Sequence, residues 1–438
     1  MNKPDPICLA AQLSSLRSTQ RIGYVMRIHT SRISVSGLCD VAQVGDRAIV
    51  KRAAMPPLQA EVVEVSSEAV ILLPDAEPQG VAIGEKVALT GPVRLAPDKS
   101  WLGRVVDPLG RSLDDLCLMP GQKPFPINAP PPSATRRRGL GPRLSTGWAA
   151  FNTLLPLVAG QRLGLFAGSG VGKSMLLGAL ARNVEADVVV VALIGERGRE
   201  VRDFVENTLG AEGMKRTVVV AATSDQSALL RRNCAKSAMT VAEYFRDSGL
   251  SVLFLADSIT RFAEAHRELA SASGEPSNLR GYPASTAQEI MTLCERAGPG
   301  EDGMGDITAI MTVLVAGSDM EGPVADIMRG VLDGHVVLDR EIAERGRYPA
   351  IDLLKSVSRS LPEAATPSEN ETIQEVRKIL GAYARSEIMI QSGLYVAGTD
   401  PVLDRAVALW PKLDAFIAEK EEAGIADSFL LLRMILSG

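Results

Sequence analysis

Apolar runs alternate with helical patterns through the middle of the chain, from about residue 145 to residue 345. Segments suited to buried strands occur at 162–166, 188–194, 217–222, 251–256, 307–315 and 335–338. Between two of them, residues 225–248 carry a helical pattern of apolar positions. Strands that alternate with helices are typical of a parallel sheet whose faces are covered by helices. The pattern therefore predicts an α/β fold for this region.

The regions on either side of this core have different patterns. Between residues 21 and 92, short alternating segments such as Ile22, Tyr24 and Met26 are separated by turn signals, which predicts a small β-barrel or sandwich. Near the end of the chain, three helical patterns at about 368–391, 401–419 and 425–436 predict a small helical domain.

A connector joins the first of these regions to the core, at residues 93–144. It contains six prolines between Pro120 and Pro132, followed by three arginines, Arg136 to Arg138. Proline-rich segments of this kind are typically extended. We expect the connector to be extended and solvated, and the arginines to be surface charges rather than a nucleic-acid site.

A glycine-rich segment, Ala167 to Ser174, follows the apolar run Leu163 to Phe166 and opens a helical pattern. A strand, a glycine-rich loop and a helix in this order form a phosphate-binding loop, in which backbone N–H groups and the helix N-terminus face the phosphates. The lysine of such a loop reaches the outer phosphates, and the next hydroxyl can bind Mg²⁺. The sequence therefore predicts an ATP-type site formed by Gly168, Ser169, Gly170, Val171, Gly172, Lys173 and Ser174.

Two acidic residues follow other predicted strands of the core. Asp257 ends the strand VLFLAD, where an aspartate beside a phosphate-binding loop commonly holds the Mg²⁺ shell. Glu196 lies in GERGRE, just after the strand at 188–194. A carboxylate at this edge of a parallel sheet can orient or deprotonate an attacking water. On position alone, Glu196 could equally be a surface acid in a charged loop.

Arg359 and Tyr348 are further candidates near the end of the core. Arg359 in SVSRSLP is either a surface charge or a finger that reaches the γ-phosphate held by a neighbouring subunit. Tyr348 in RYPAID either stacks on a purine ring or packs against Pro349. The residues alone do not choose between these roles.

Composition and charge narrow the range of functions. The chain of 438 residues is 46% hydrophobic and 23% charged, with a formal net charge of −5, so nothing favours electrostatic binding to nucleic acid. The five cysteines are scattered, which argues against disulfides and structural zinc. The longest apolar run is far shorter than the ~20 residues that span a bilayer. We expect a cytoplasmic protein with at most peripheral membrane contact.

The motifs, in this order, resemble the hexameric rotary ATPases, the catalytic subunits of F- and V-type ATPases and their relatives. The resemblance rests on the run LSTGWAAFNTLLPLVAGQRLGLFAGSGVGKS, on GERGRE and on PAIDLLKSVS, and it extends over nearly the whole chain. LRGYPAS and LDGHVVLDREIAERGRYPAIDLLKSVSR are most similar to the type III secretion ATPases, of which the flagellar export branch is the better match. The segment 284–293 departs from that branch, because a Leu-Pro element is missing.

The resemblance implies a fold class, domain bounds and site roles. The fold class is α/β, with a small N-terminal β-barrel, a central RecA-like P-loop parallel sheet with flanking helices, and a small C-terminal helical domain. The implied division is a partner-binding segment 1–20, a barrel 21–92, an ATPase domain 93–360 and a helical domain 361–438. The implied roles are Lys173 on phosphate, Ser174 and Asp257 on Mg²⁺, Glu196 as the catalytic carboxylate, Arg197 on the phosphate side, Arg359 as the finger and Tyr348 as the adenine platform.

The resemblance also implies an assembly and its partners. F-type enzymes divide the catalytic glutamate and the finger between two chains, whereas this sequence has both Glu196 and Arg359, which suits a homohexamer. The implied partners are a regulatory stator-like protein at the N-terminus, a central coiled-coil stalk-like protein, export substrates and chaperones at the C-terminal domain, and an export gate at the inner membrane.

Other functions stay open at this point. A virulence injectisome ATPase and an F-type catalytic subunit belong to the same family, and Arg359 argues against the second. A nucleotide-binding subunit without hydrolysis would lack the acid at Glu196. A ring translocase on RNA would need basic and aromatic residues interleaved in the barrel, and the barrel region lacks this pattern.

Overall fold

The computed structural model describes residues 19–29, 31–315 and 320–437. The expected partner-binding segment 1–20 therefore lies almost wholly outside the described residues. In the part of the chain that is described, no helix combines the length and apolar character needed to cross a membrane.

The N-terminal region is a closed six-stranded barrel. Its strands pair in the order β1-β2-β5-β4-β3-β6, all antiparallel, and alternate residues turn their apolar side chains inward to form its core. The barrel contacts the core through an ion pair of 2.9 Å between Glu61 Oε1 and Arg232 Nη2. Leu73 of the barrel also packs against Leu229 and Leu269 of the core. The strands are β1 Arg21–Ile28, β2 Ile33–Ser36, β3 Asp46–Val50, β4 Leu58–Val65, β5 Val70–Pro74 and β6 Lys86–Pro92.

The first part of the connector is packed, so the expectation of a solvated chain is wrong there, whereas residues 128–143 are all exposed or half-buried, as expected. It contains β7 Arg94–Leu95, β8 Val105–Val106 and β9 Phe125–Pro126, and β8 joins the edge of the central sheet. Trp101 is buried, and the Arg137 side chain is only 12% exposed because it donates to the backbone carbonyls of Glu295 and Ala297. The apolar side chains of the connector cover part of the hydrophobic core, so the prolines set only the direction of the backbone.

The expectation of no disulfides is also wrong at one position in this connector. Cys117 is disulfide-bonded, whereas Cys39, Cys234 and Cys294 are free thiols.

The centre of the molecule is a mostly parallel sheet in the order β19-β18-β10-β17-β13-β11-β12-β8. Six of the parallel strands lie where the apolar runs predict them, whereas the parallel β8 at one edge and the antiparallel β19 at the other were not predicted. The strands are β10 Arg162–Ala167, β11 Val188–Glu196, β12 Thr217–Thr223, β13 Val252–Asp257, β17 Asp306–Leu314, β18 Gly334–Leu338 and β19 Ile351–Ser358. Two short strands, β14 Ser277–Leu279 and β15 Tyr282–Pro283, pair with each other, and β16 Gly298–Pro299 pairs with β17.

Helices cover both faces of this sheet. Along β11, Val189 and Val191 pack into the hydrophobic cluster of one face and Val190 and Ala192 into that of the other, as expected for a strand buried on both sides. The helices of this part are α1 Ala149–Asn152, α2 Lys173–Asn183, α3 Gly198–Asp203, α4 Gly210–Met214, α5 Ala228–Asp247, α6 Ile259–Ala272, α7 Ser285–Arg296, α8 Pro323–Val331 and α9 Arg340–Glu344. A π-helical segment, Phe204–Leu209, lies between α3 and α4.

Three helices form the C-terminal region: α10 Pro367–Gln391, α11 Pro401–Ile417 and α12 Ile425–Ser437. Their apolar side chains, including Phe416 and Phe429, belong to the same hydrophobic cluster as α2. The buried amide of Asn152 donates to the buried hydroxyl of Ser428 at 3.0 Å, which ties α12 to α1. The predicted fold class of barrel, parallel sheet and helical domain is confirmed.

Candidate active site

The glycine-rich segment forms a loop between β10 and α2. Gly170 and Gly172 have φ values of 78° and 83°, which L-residues with a side chain rarely adopt. Gly172 is the residue that precedes the first turn of α2, so unpaired backbone N–H groups of that turn face the loop. This is the geometry of an anion site at a helix N-terminus.

Lys173 and Asp257 meet beside this loop. The Lys173 ammonium contacts Asp257 Oδ1, and both side chains are largely buried, at 13% and 6% exposed. Asp257 ends β13, and its side chain also accepts a hydrogen bond of 2.8 Å from the hydroxyl of Thr312 on β17. The aspartate predicted from the strand end therefore lies next to the predicted lysine.

A pocket beside this pair contains the oxygen groups expected at the site. Ser174, Glu196, Glu200 and Asp257 all line it. Carboxylate and hydroxyl oxygens suit Mg²⁺. Among the residues that the structure describes, no group of three or more His, Cys, Asp or Glu side chains could hold a metal unaided. Mg²⁺ would therefore also need phosphate and water oxygens, as it does in most nucleotide sites.

Glu196 has the electrostatic character of a group that exchanges protons near neutral pH. Burial raises the pKa of its carboxyl to about 7, and a hydrogen bond with Glu200 and the charge of Asp257 act in the same direction. Hydrogen bonding to Glu196 and the nearby Arg197 lower the pKa of Glu200. A general base works best when its pKa lies near the operating pH.

Tyr348 lies against the glycine-rich loop. A Cβ added to Gly172 would stand 3.0 Å from Cδ1 of the Tyr348 ring. The tyrosine is 46% exposed, so a broad part of its surface is open to solvent. It thus packs on the loop of its own chain and leaves surface free for a flat ligand.

Arg359 lies at the opposite end of the strands from the phosphate loop. Ala167, the last residue of β10, pairs with Leu338 at the end of β18, whereas Ser358, at the end of the antiparallel β19, pairs with Gly334 at the start of β18. The residue after Ser358 is therefore separated from its own phosphate loop by the length of β18. Its guanidinium donates to the carbonyls of Leu332 and Arg329, at 3.2 and 3.0 Å, and it is exposed.

Arg197 is not directed into the pocket. Its side chain is 78% exposed and forms an ion pair of 3.1 Å with Glu200 at the pocket rim.

Three residues near the site were missed by the sequence reasoning: Glu200, Thr312 and Arg261. The pKa of Arg261 is raised chiefly by its hydrogen bond to Glu264, and the charges of Glu196 and Glu200 add to this effect. Arg261 could have been found from its position in the first turn of α6, the helix that follows Asp257. Thr312 gave no signal, because a threonine within an apolar strand is ordinary.

Comparisons with known proteins agree with this geometry. The model of the ATP synthase alpha/beta family, nucleotide-binding domain, matches residues 147–358, and that of the T3SS EscN ATPase C-terminal domain matches residues 365–430. The flagellum-specific ATP synthase of Caulobacter vibrioides is 46% identical over 424 residues, which cover 94% of this chain and 95% of that protein. The chain belongs to the ATP synthase alpha/beta family.

Solved structures place this ATPase in the secretion branch of the family. The assembled ATPase EscN from the type III secretion system of enteropathogenic E. coli superposes with a TM-score of 0.87 at 35% identity, and the match covers 94% of this chain and all of EscN. EscN in complex with its central stalk EscO gives a TM-score of 0.85 at 35% identity, with the same coverage of both chains. The resemblance to flagellar and type III secretion ATPases is thereby confirmed, and the chain is an ATP hydrolase.

Proposed function

We propose that this ATPase hydrolyses ATP to ADP and phosphate, with Mg²⁺, at the subunit interfaces of a homohexameric ring, and so energises flagellar type III protein export. The observation that carries the proposal is the division of the site within one chain. The phosphate loop and Glu196 lie near the carboxyl ends of the parallel strands, and Arg359 lies near the amino ends. In a ring, one chain can supply both halves of every interface.

ATP binding is assigned to the loop and to Tyr348. The N–H groups of Gly168, Ser169, Gly170, Val171 and Gly172 would surround the phosphates, and Tyr348 would stack on adenine. The Lys173 ammonium would exchange Asp257 for phosphate oxygens, which are the stronger partners for a point charge. Arg197 would approach the phosphates by leaving Glu200, which costs little because exposed ion pairs stabilise a protein by about 0–1 kcal/mol.

Hydrolysis is assigned to Glu196 and the positive groups around the phosphates. The ionised Glu196 carboxylate would orient the attacking water and accept its proton, while Lys173 and a neighbour's Arg359 stabilise the charge that develops. Mg²⁺, when bound by Ser174 and Asp257, would neutralise phosphate charge.

The proposed assembly is a homohexameric ring with a central coiled-coil stalk-like protein. The structure of assembled EscN with its central stalk EscO supports a stalk partner, because this chain is similar to EscN over nearly its full length. We further propose a stator-like regulator at residues 1–20, export substrates and chaperones at the helical domain 361–438, and no nucleic-acid partner. The protein would act in the cytoplasm, peripherally at the export gate of the inner membrane.

A second candidate is the ATPase of a virulence injectisome. It is favoured by the TM-score of 0.87 with EscN. The 46% identity to a flagellum-specific protein favours the flagellar role. Motility of a deletion strain separates the two: flagellar export predicts non-motile cells, whereas an injectisome ATPase predicts normal swimming.

A complementation experiment tests the shared sites. Glu196→Gln and Arg359→Ala are purified separately, and each is expected to lose at least 100-fold in ATPase activity, in line with the loss of a catalytic group or a finger. Mixed in equal amounts, they should regain up to about a quarter of wild-type activity. In a ring assembled at random from the two variants, about a quarter of the interfaces combine an intact Glu196 with an intact Arg359 of the neighbouring subunit.

The control is Arg340→Ala, which removes an exposed arginine that pairs with Glu344 on the surface. It should hydrolyse ATP at the wild-type rate. If the mixture of the two inactive variants stays inactive while each still assembles, the site lies within one subunit. If Arg359→Ala alone keeps its activity, the finger assignment fails.

A further inference from the structure

Thr312 is a buried hydroxyl residue at the back of the site. It lies on β17, is 0% exposed, and has the apolar residues Met311 and Val313 on either side, which are also fully buried. A valine would have nearly the same shape, so packing alone does not require the hydroxyl. A buried hydroxyl without a partner is costly, and it is therefore its partner that explains its presence.

The hydroxyl has two possible acceptors, both at the end of β13. Thr312 Oγ1 lies 2.8 Å from Asp257 Oδ1 and 3.2 Å from the carbonyl oxygen of Ala256. A hydroxyl has one proton, and a carboxylate is the stronger acceptor. The shorter distance agrees, so the hydroxyl donates to Asp257.

The same oxygen of Asp257 also receives the Lys173 ammonium. Oδ1 is thus held from two sides, by α2 and by β17. Asp257 also lines the pocket that contains Ser174 and Glu196. With Oδ1 held in this way, the rotation of the carboxylate is fixed, and Oδ2 is the oxygen left for other ligands.

We propose that Thr312 is a positioning residue that fixes the Asp257 carboxylate when Lys173 moves from Asp257 to the phosphates of ATP. Without nucleotide, Asp257 has two partners on Oδ1. Once the ammonium turns to phosphate, the Thr312 hydroxyl is the contact that remains from the set described above. Its contribution therefore falls in the loaded state, on the affinity for Mg²⁺ with nucleotide. This inference rests on the proposed function, because it needs ATP and Mg²⁺ at this site.

The test compares Thr312→Val with Thr312→Ser. The affinity of a fluorescent ADP analogue is measured by titration, once with Mg²⁺ and once with a chelator, and the ratio of the two affinities is the readout. Hydrogen-bond partners of metal ligands typically contribute 10- to 100-fold to metal affinity or activity. Thr312→Val should lower the ratio by about tenfold with the chelator value unchanged, and Thr312→Ser should restore it.

Thr308→Val is the matched control. Thr308 is on the same strand and equally buried, at 2% exposed, but its hydroxyl accepts the N–H of Gly160 at 2.9 Å, away from Asp257. It removes a buried hydroxyl of β17 without touching the site, so its Mg²⁺ ratio should equal that of wild type even if its melting temperature falls.

The outcomes separate the two proposals. A wild-type ratio in folded Thr312→Val overturns the inference, and so does an equal loss in Thr308→Val. If Thr312→Val does not fold, Thr312→Ala takes its place under the same criteria. If wild type itself neither binds the analogue more tightly with Mg²⁺ nor hydrolyses ATP, the proposed function fails first.

Discussion

The carboxyl of Glu196 shows how one residue can acquire a chemical role from its surroundings. Its place at the end of β11 buries it beside Asp257 and Glu200, and this raises its pKa to about 7. Burial disfavours the charged form, and nearby negative charges act in the same direction. The carboxyl is therefore poised between its two protonation states at neutral pH.

The rate of ATP hydrolysis should rise with pH through about 7, because the proposed role needs ionised Glu196. In Glu200→Gln the rising limb should move to lower pH, since the negative charge that raises the Glu196 pKa is removed and the glutamine amide can donate to the ionised carboxylate. The measurement is kcat/KM for MgATP against pH, because this ratio reports the ionisable groups of the enzyme before it binds substrate. A profile that is flat between pH 5.5 and pH 8 would contradict the assignment.

Stability without nucleotide should show the opposite trend. A carboxyl whose folded-state pKa lies above its unfolded value binds more protons when folded, so its contribution to stability falls as pH rises from about 4.5 to about 7. Glu196→Gln has no such group. Its melting temperature relative to wild type should increase between pH 5 and pH 8, measured by circular dichroism; Glu206→Gln, at an exposed carboxyl, should give a constant difference.

At the scale of residues, position in the sequence predicts which side chains lie close together. Asp257 and Glu196 both end parallel strands, and such ends meet at one edge of a sheet. Glu200 and Thr312 were missed because their importance depends on which atoms they contact, and no spacing rule gives that. Arg359 was a candidate from the sequence, but only the antiparallel direction of β19 shows at which end of the strands it lies.

At the scale of elements, the phosphate loop and the segment before β19 fit closely together. Gly172 starts α2, and Tyr348 lies directly over it. The loop therefore needs glycine here for two reasons, a positive φ and the closeness of the ring. Gly170 has a similar φ, but a Cβ there would meet nothing within 4 Å.

Gly172→Ala should consequently be worse than Gly170→Ala. Each costs about 1 kcal/mol for an alanine at positive φ, and Gly172→Ala adds a contact with Tyr348 that forces the ring to shift. Urea unfolding should give a larger loss of stability for Gly172→Ala, and Tyr348→Ala should remove the difference. Equal losses in both glycine variants would mean that the ring moves freely.

The bounds of six core strands and of α5 could be predicted to within a few residues, because strands buried on both faces are continuous apolar runs and a long helix has a clear period. The connector could not. Its prolines suggest an extended, solvated chain, yet the residues before the proline-rich part supply Trp101 and Val106 to the hydrophobic core. A two-residue strand such as β8 carries too few positions for any period, so its pairing with β12 depends on contacts far apart in the sequence.

At the scale of the whole molecule, the helical region and the core share one hydrophobic cluster. Side chains from α10, α11 and α12 belong to the cluster that also contains side chains of β10 and α2. The C-terminal helices meet the core mainly at α1 and β19, through bonds such as that between Asn152 and Ser428 and that from Arg377 to the carbonyl of Leu353. The contact therefore reaches the phosphate loop only through intervening elements of the core.

Loosening this contact should expose α12 before the rest of the chain. Ser428→Ala removes the hydroxyl that accepts from Asn152 and donates to the carbonyl of Gly424, and should cost about 1 kcal/mol. Asn152→Ala also leaves the N–H of Thr146 without its acceptor and should cost about 2–3 kcal/mol. Hydrogen exchange should be faster in α12 in both variants and fastest in Asn152→Ala. Unchanged exchange there would show that apolar packing alone holds the helix.

The reversed direction of β19 has a consequence for subunits that have not yet assembled. It carries Arg359 away from the phosphate loop of its own chain, so a lone subunit can hold ATP but lacks the guanidinium that completes the proposed site. Newly made chains would then hydrolyse little ATP before they assemble. The direction of a single strand would thus make ATP consumption depend on completed assembly, without a separate inhibitor protein.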